Sequence, residues 1–90
     1  MAVRVQIPPQ LRQQADGQTT VEAAGDSVQA VLDDLGARYP ALTQRILDNG
    51  QVRRFLNVYL NSEDIRYLQS LKTPVKDGDE LAIIPAVAGG

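Results

Sequence analysis

Residue types suited to chemistry are scarce in this chain of 90 residues. It has no cysteine and no histidine. That removes the usual zinc ligands, the redox thiol, the thiol nucleophile and the imidazole base together. Carboxylates remain, and Asp77 and Asp79 flank a glycine in KDGDE (76–80). The same Asp-Gly-Asp run suits a polar turn, because glycine takes positive φ and aspartate side chains bond nearby backbone. A turn, and neither a metal site nor an acid/base pair, is expected at Asp77-Gly78-Asp79. No known catalytic set of Ser, Lys and carboxylates is recognisable, so the chain is read as a non-enzyme. What is left is a backbone group: the carboxylate of Gly90, behind Gly89, in the closing stretch PAVAGG (85–90).

Such an end can do chemistry if it can travel. Six residues, Pro85 to Gly90, reach up to ~20 Å when extended. Gly89 and Gly90 carry no Cβ, so this backbone can pass a narrow channel and adopt torsions closed to other residues. Nothing branched crowds the Gly90 carbonyl carbon. Ala86, Val87 and Ala88 are slim enough to thread, and Val87 is large enough to fill a shallow pocket. The competing reading of the same residues is an ordinary frayed end.

The rest of the chain must hold that end. AVRVQI (2–7) alternates apolar and polar residues with period two, a strand with one buried face. Pro8-Pro9 stops it, Asp16-Gly17 is a turn signal, and QTTVEA (18–23) reads as an edge strand completing a hairpin. The period then changes. Val28, Val31, Leu32, Leu35 and Tyr39 make one face of a helix, with Asp26 expected as N-cap and Gln29 completing a capping box. Asp33-Asp34 is expected on its solvated face. Pro40 ends the helix, and Gly36 is expected to let it lie close to a sheet. ALTQRILD (41–48) reads as a short second helix stopped by Asn49-Gly50. RFLNVYLN (54–61) is the strongest strand, NSED (61–64) a turn, IRYL (65–68) a short strand and LAIIP (81–85) the last strand. The fold class expected is α+β: a mixed sheet of about five strands packed on one main helix. Residues 1–84 are expected to form the domain and 85–90 a flexible tail.

Composition bounds the partners. Apolar residues make up 43% of the chain, ordinary for one small globular domain. The formal net charge is −2, and only Arg53-Arg54 place basic residues side by side, so no nucleic-acid stripe is present. No run long enough for a membrane helix and no signal peptide is recognisable, so no membrane partner and a cytoplasmic location are expected. Arg53, Arg54 and Arg66 read first as a solvated face and second as contacts for acidic residues of a partner.

Two hairpin strands, a capped helix, further strands and a last strand running into Gly-Gly form the β-grasp pattern. KDGDELAIIPAVAGG (76–90) and NVYLNSEDIRYL (57–68) resemble the ubiquitin-like sulfur-carrier family, whose best-known branches are ThiS and MoaD. The resemblance covers essentially the whole chain and is greatest to the carrier branch of cysteine synthesis. It implies that an E1-like partner adenylates the Gly90 carboxylate with ATP-Mg, that sulfur then replaces one oxygen, and that a synthase accepts it. The carrier itself would bind no cofactor and be a monomer when free. The small subunit of molybdopterin synthase and a modifier joined to lysines remain alternatives. A tail tethers but does not dock. Phe55, Tyr59 and Ile84 are out of phase with Leu56, Val58, Leu60, Leu81 and Ile83, so they are expected to face outward as a docking patch.

Overall fold

The computed structural model describes residues 2–85. In chain order its elements are β1 (Ala2–Gln6), a 3-10 helix (Pro9–Ala15), β2 (Thr20–Ala24), α1 (Val28–Arg38), α2 (Pro40–Ile46), β3 (Leu47–Asp48), β4 (Gln51–Val52), β5 (Leu56–Leu60), β6 (Glu63–Asp64), two short 3-10 turns (Ile65–Tyr67 and Ser70–Lys72) and β7 (Glu80–Pro85). Five strands form one mixed sheet in the order β2-β1-β7-β5-β6, while β3 and β4 make a separate small hairpin. The two longest-separated strands, β1 and β7, run parallel at the sheet centre, and the other pairs are antiparallel. This is the β-grasp architecture, and β2 is an edge strand as expected.

Alternation along the strands sets which face is covered. Val3, Val5, Val21, Leu56, Val58, Leu60, Leu81 and Ile83 are buried, and their intervening neighbours are not. The covering face of α1 is Val28, Val31, Leu32 and Leu35, each fully buried. Burying one such side chain is worth about 1.5–3 kcal/mol. Tyr39 takes φ −132° and ψ 70°, so α1 stops there, and Pro40 opens α2 where its missing N–H has no helical partner to lose.

Several local expectations are corrected. The N-cap of α1 is Ser27, one residue beyond Asp26: its Oγ accepts from the Ala30 N–H at 3.1 Å. Gln29 does not close a capping box; its amide donates to Asp33 Oδ1. The Asp26 carbonyl instead accepts from the Val75 N–H, which holds that residue outside the helix. Gly36 faces α2 and not the sheet, since a Cβ there would sit 3.0 Å from Thr43 Oγ1. Asp34 is not idle on a solvated face. Its Oδ2 accepts from the Ala24 N–H at 2.9 Å, and Arg38 donates to the Glu22 carbonyl, so α1 side chains satisfy the free edge of β2.

The breaks in the chain also differ. Beyond Pro8 the chain turns into the 3-10 helix that buries Leu11 and Ala15. Asn49-Gly50 does not simply stop α2. Both residues have positive φ (54° and 77°), which is the two-residue turn joining β3 to β4. Residues 63–64, expected in a turn, are β6, and the turn is Asn61-Ser62 alone. IRYL is not a strand: Asp64 Oδ1 accepts from the Arg66 N–H at 2.9 Å and winds Ile65–Tyr67 into a 3-10 turn.

Candidate functional site

The last described strand roots the tail. β7 is paired on both sides only as far as Ala82, where its parallel partner β1 ends at Gln6. Beyond it, Ile83, Ile84 and Pro85 are held by β5 alone, opposite Val58, Asn57 and Leu56. Pro85 is therefore not the first residue of a tail; it is the final residue of β7, paired with Leu56. The remaining tail positions, Ala86, Val87, Ala88, Gly89 and Gly90, lie outside the described residues. A cleft of about 440 Å³ flanks this root, with Ile7, Pro8, Pro9 and Arg12 on one wall and Ile84 and Pro85 on the other. The Arg12 guanidinium, in the lining of the cleft, donates to the Ile7 carbonyl at 3.1 Å.

The turn before β7 fixes where that strand starts. Asp79 Oδ2 accepts from the Lys76 N–H at 2.8 Å and its Oδ1 from the Asn61 amide at 3.1 Å. Asn61 Oδ1 in turn accepts from the Glu80 N–H, and Asp77 Oδ1 accepts from the Ala2 N–H. The Lys76 N–H, and after it the Asn61 amide, hold the Asp79 carboxyl below the usual carboxylate range. Asp77-Gly78-Asp79 is thus a pin between the first and last strands, with Gly78 at φ 88°. Among the described residues no group of three or more acidic side chains is arranged to hold a metal ion.

Of the three residues expected to face outward, Tyr59 in β5 and Ile84 in β7 share one face of the sheet, while Phe55 lies outside β5 and not within the strand 54–61 expected to carry it. Ile84 is directly opposite Asn57 and Tyr59 opposite Ala82, which makes Ile84 and Tyr59 diagonal neighbours on the open face of the sheet. Ile84 is 41% exposed and Phe55, in the turn just before β5, is 60% exposed. Tyr59 is half-buried, so it frames the patch more than it projects from it. Sequence reasoning missed two further exposed apolar residues, Tyr67 at 80% and Leu68 at 37%. Treating IRYL as a strand concealed them; the Asp64 side chain at the start of a turn was the available signal. Asp64 is itself buried, and Arg66 bonds its carboxylate with Nη2–Oδ2 at 2.7 Å. That ion pair holds the Asp64 carboxyl low despite its burial.

With this geometry in hand, similarity to known proteins decides the family. A sequence model of the ThiS family matches residues 5–90. The chain belongs to the ThiS family. The sulfur carrier protein CysO of Mycobacterium tuberculosis is 45% identical over 93 residues, covering all of both chains. In a crystal structure of the Amycolatopsis orientalis BexX/CysO complex, a chain 44% identical superposes with a TM-score of 0.92, covering 98% of this chain and 99% of that one. The small archaeal modifier protein 1 of Methanosarcina acetivorans, 34% identical, superposes with a TM-score of 0.85, covering 99% of this chain and 96% of that one. Family membership agrees with the resemblance carried by the DGDE turn, the last strand and the NVYLNSEDIRYL block. No helix among the described residues is long and apolar enough to cross a membrane.

Proposed function

We propose that this protein is a sulfur carrier, a protein cosubstrate whose reacting group is the Gly90 carboxylate. In this reading residues up to Pro85 form a rigid handle and Ala86–Gly90 form the leash. Five residues reach up to about 17 Å, enough to bring a terminal carboxylate into a neighbouring enzyme while the sheet stays outside. An E1-like partner adenylates that carboxylate using ATP-Mg, releasing pyrophosphate. A sulfur nucleophile then displaces AMP, leaving a thiocarboxylate, and a synthase takes the sulfur, with cysteine synthesis as the favoured destination. The carrier contributes the reacting atom and the docking surface; the partners contribute catalysis.

The observation that carries this reading is the full-length similarity to a sulfur carrier, including a family match that runs through Gly90. Two structural features support it. The strand that delivers the tail is anchored by β5 alone over its last three residues, and an exposed apolar patch, Phe55 with Ile84, adjoins that point. The relative captured in complex with BexX supports a role exercised on a partner. The experiment is to replace Gly90 by leucine, or to extend the chain past it, and assay adenylation by an E1-like enzyme. The proposal expects loss of adenylation with an unchanged fold by circular dichroism. Adenylation at the unmodified rate would refute it, given an intact mass showing the altered end still present.

The similarity to a small archaeal modifier protein favours one second reading, a modifier joined to lysines through the same activated end. Higher-mass conjugates formed in cell extract would distinguish it from a carrier. Lys72 and Lys76 are the only lysines, so self-conjugation has two sites.

A further inference from the structure

On the opposite side of β5 from β7 lies a second groove, of about 650 Å³. β6 pairs with β5 only at Tyr59 and Leu60, so no strand flanks Leu56–Val58 there. β4 and the turn 53–54 form one bank, and the 3-10 turns after β6 form the other. The floor between them is apolar, with Val52 and Leu71 only partly covered above the buried Leu56, Val58 and Ile65. The volume falls in the roughly 300–1,000 Å³ range of ligand-sized clefts, too large for one ion.

Charge is segregated into this groove. Arg53, Arg54, Arg66 and Lys72 line it, with Asp64 as the only acidic residue. Four of nine basic residues against one of eleven acidic ones gives the lining +3 in a chain of −2, leaving −5 on everything else. Asp64 is already committed to Arg66. The Arg53 guanidinium is held in place by two bonds to the Gln44 carbonyl (3.1 and 2.8 Å), a contact that fixes its position without neutralising it. The side chains of Arg54 and Lys72, on opposite banks, make no hydrogen bond or ion pair among the described residues. In the sequence these four cations are scattered over twenty positions; the turns after β6 bring them together. Arg54, Arg66 and Lys72 are exposed to solvent, and gathered around one apolar cleft in an acidic molecule they also form a surface complementary to something anionic.

We propose that this groove receives an acidic, extended segment of a partner protein, in which carboxylate side chains alternate with aliphatic ones. The carboxylates meet Arg54 and Lys72 on the two banks, with Arg53 and the outer edge of the Arg66 guanidinium beyond them. The aliphatic residues cover Val52 and Leu71. The groove is defined by residues between 51 and 72, so the proposal is argued without reference to whether Gly90 is activated. Leu56, which lines it, is also the partner of Pro85, so a segment seated here lies beside the end of β7.

The test is amide chemical-shift mapping on the full chain with an acetylated octapeptide alternating Glu and Val. Controls are its Gln-for-Glu counterpart, a PAVAGG peptide and inorganic tripolyphosphate. The expected result is shifts confined to residues around 51–58 and 64–72, with affinity reduced about tenfold or more by the Gln peptide and by the double variant Arg54→Glu, Lys72→Glu. Arg54→Lys with native Lys72 should restore binding. Shortening the Debye length from ~10 Å to ~3 Å with salt should weaken the Glu peptide and leave residual apolar contact. Binding of tripolyphosphate without the Glu peptide would overturn the proposal in favour of a small-polyanion site. Binding of the PAVAGG peptide alone would assign the groove to the carrier's own end. Shifts elsewhere, or none, would also overturn it.

Discussion

Replacing Phe55 and Ile84 together by alanine should weaken docking to the E1-like partner without weakening the fold. Ile84 is 41% exposed and Phe55 60% exposed, so those fractions of each side chain are still available to be buried by a partner. Full burial of such a side chain is worth about 1.5–3 kcal/mol. Scaled by exposure, Ile84 contributes ~0.6–1.2 kcal/mol and Phe55 ~0.9–1.8 kcal/mol. Fixing the two side chains in the interface costs on the order of 1 kcal/mol. The net loss is therefore ~0.5–2 kcal/mol, or about a two- to thirtyfold rise in Kd. Titration calorimetry of the double variant against the partner measures it directly, and thermal unfolding of the free carrier serves as the control. A Kd within about twofold of the original, at unchanged unfolding temperature, would refute the assignment of this face to docking.

Three further outcomes concern the scaffold. A Cβ on Gly25 would lie 2.7 Å from the Val31 N and 2.8 Å from the Ala30 carbonyl carbon, both backbone atoms of the first turn of α1. Gly25→Ala must therefore displace the helix and should cost ~1–3 kcal/mol in chemical denaturation; an unchanged midpoint would show that α1 is not seated there. Ser62→Gly should do the reverse. Ser62 holds φ 73°, a left-handed conformation that costs a non-glycine residue about 1–2 kcal/mol, so glycine should raise the unfolding temperature by several degrees. The third is pH. Asp34, Asp64 and Asp79 all have folded-state pKa values below their unfolded value of about 3.9, owing first to bonds from the Ala24 N–H, the Arg66 side chain and the Lys76 N–H respectively. Their stabilisation is complete above roughly pH 5 and is lost as pH falls through the lowered folded values. Asp79→Asn should lower stability at neutral pH and flatten that acid decline; an undiminished slope would remove Asp79 from the account.

How much of this was legible without coordinates depends on the range of the interaction. The phase of β5 and β7 was readable because period two in FLNVYL and LAIIP places Leu56, Val58, Leu81 and Ile83 on one face by geometry alone. The outward direction of Ile84 followed from the same alternation, whereas Phe55 is exposed from a turn that precedes β5. The stripe of α1 was readable for the equivalent reason at period 3.6. Single-residue decisions were not. Asp26 and Ser27 are both good caps, and the Val75 N–H bond that takes the Asp26 carbonyl comes from a residue 49 positions away. Asn49-Gly50 suits a helix stop and a hairpin turn equally, and strands of two residues are too short to show a period. IRYL looks like a strand until the Asp64 side chain turns it. The cationic groove was least legible of all, because its two banks belong to segments 51–58 and 64–72 that meet only after those turns form.

The most direct test of the carrier account is the intact mass of the protein after incubation with an E1-like enzyme, ATP and a sulfur source. The account predicts a mass increase equal to one oxygen-for-sulfur exchange, located in the C-terminal peptide at Gly90, and its reversal when an accepting synthase is added. An unchanged mass with an active E1-like enzyme, or a sulfur located anywhere but the terminal carboxylate, would contradict it.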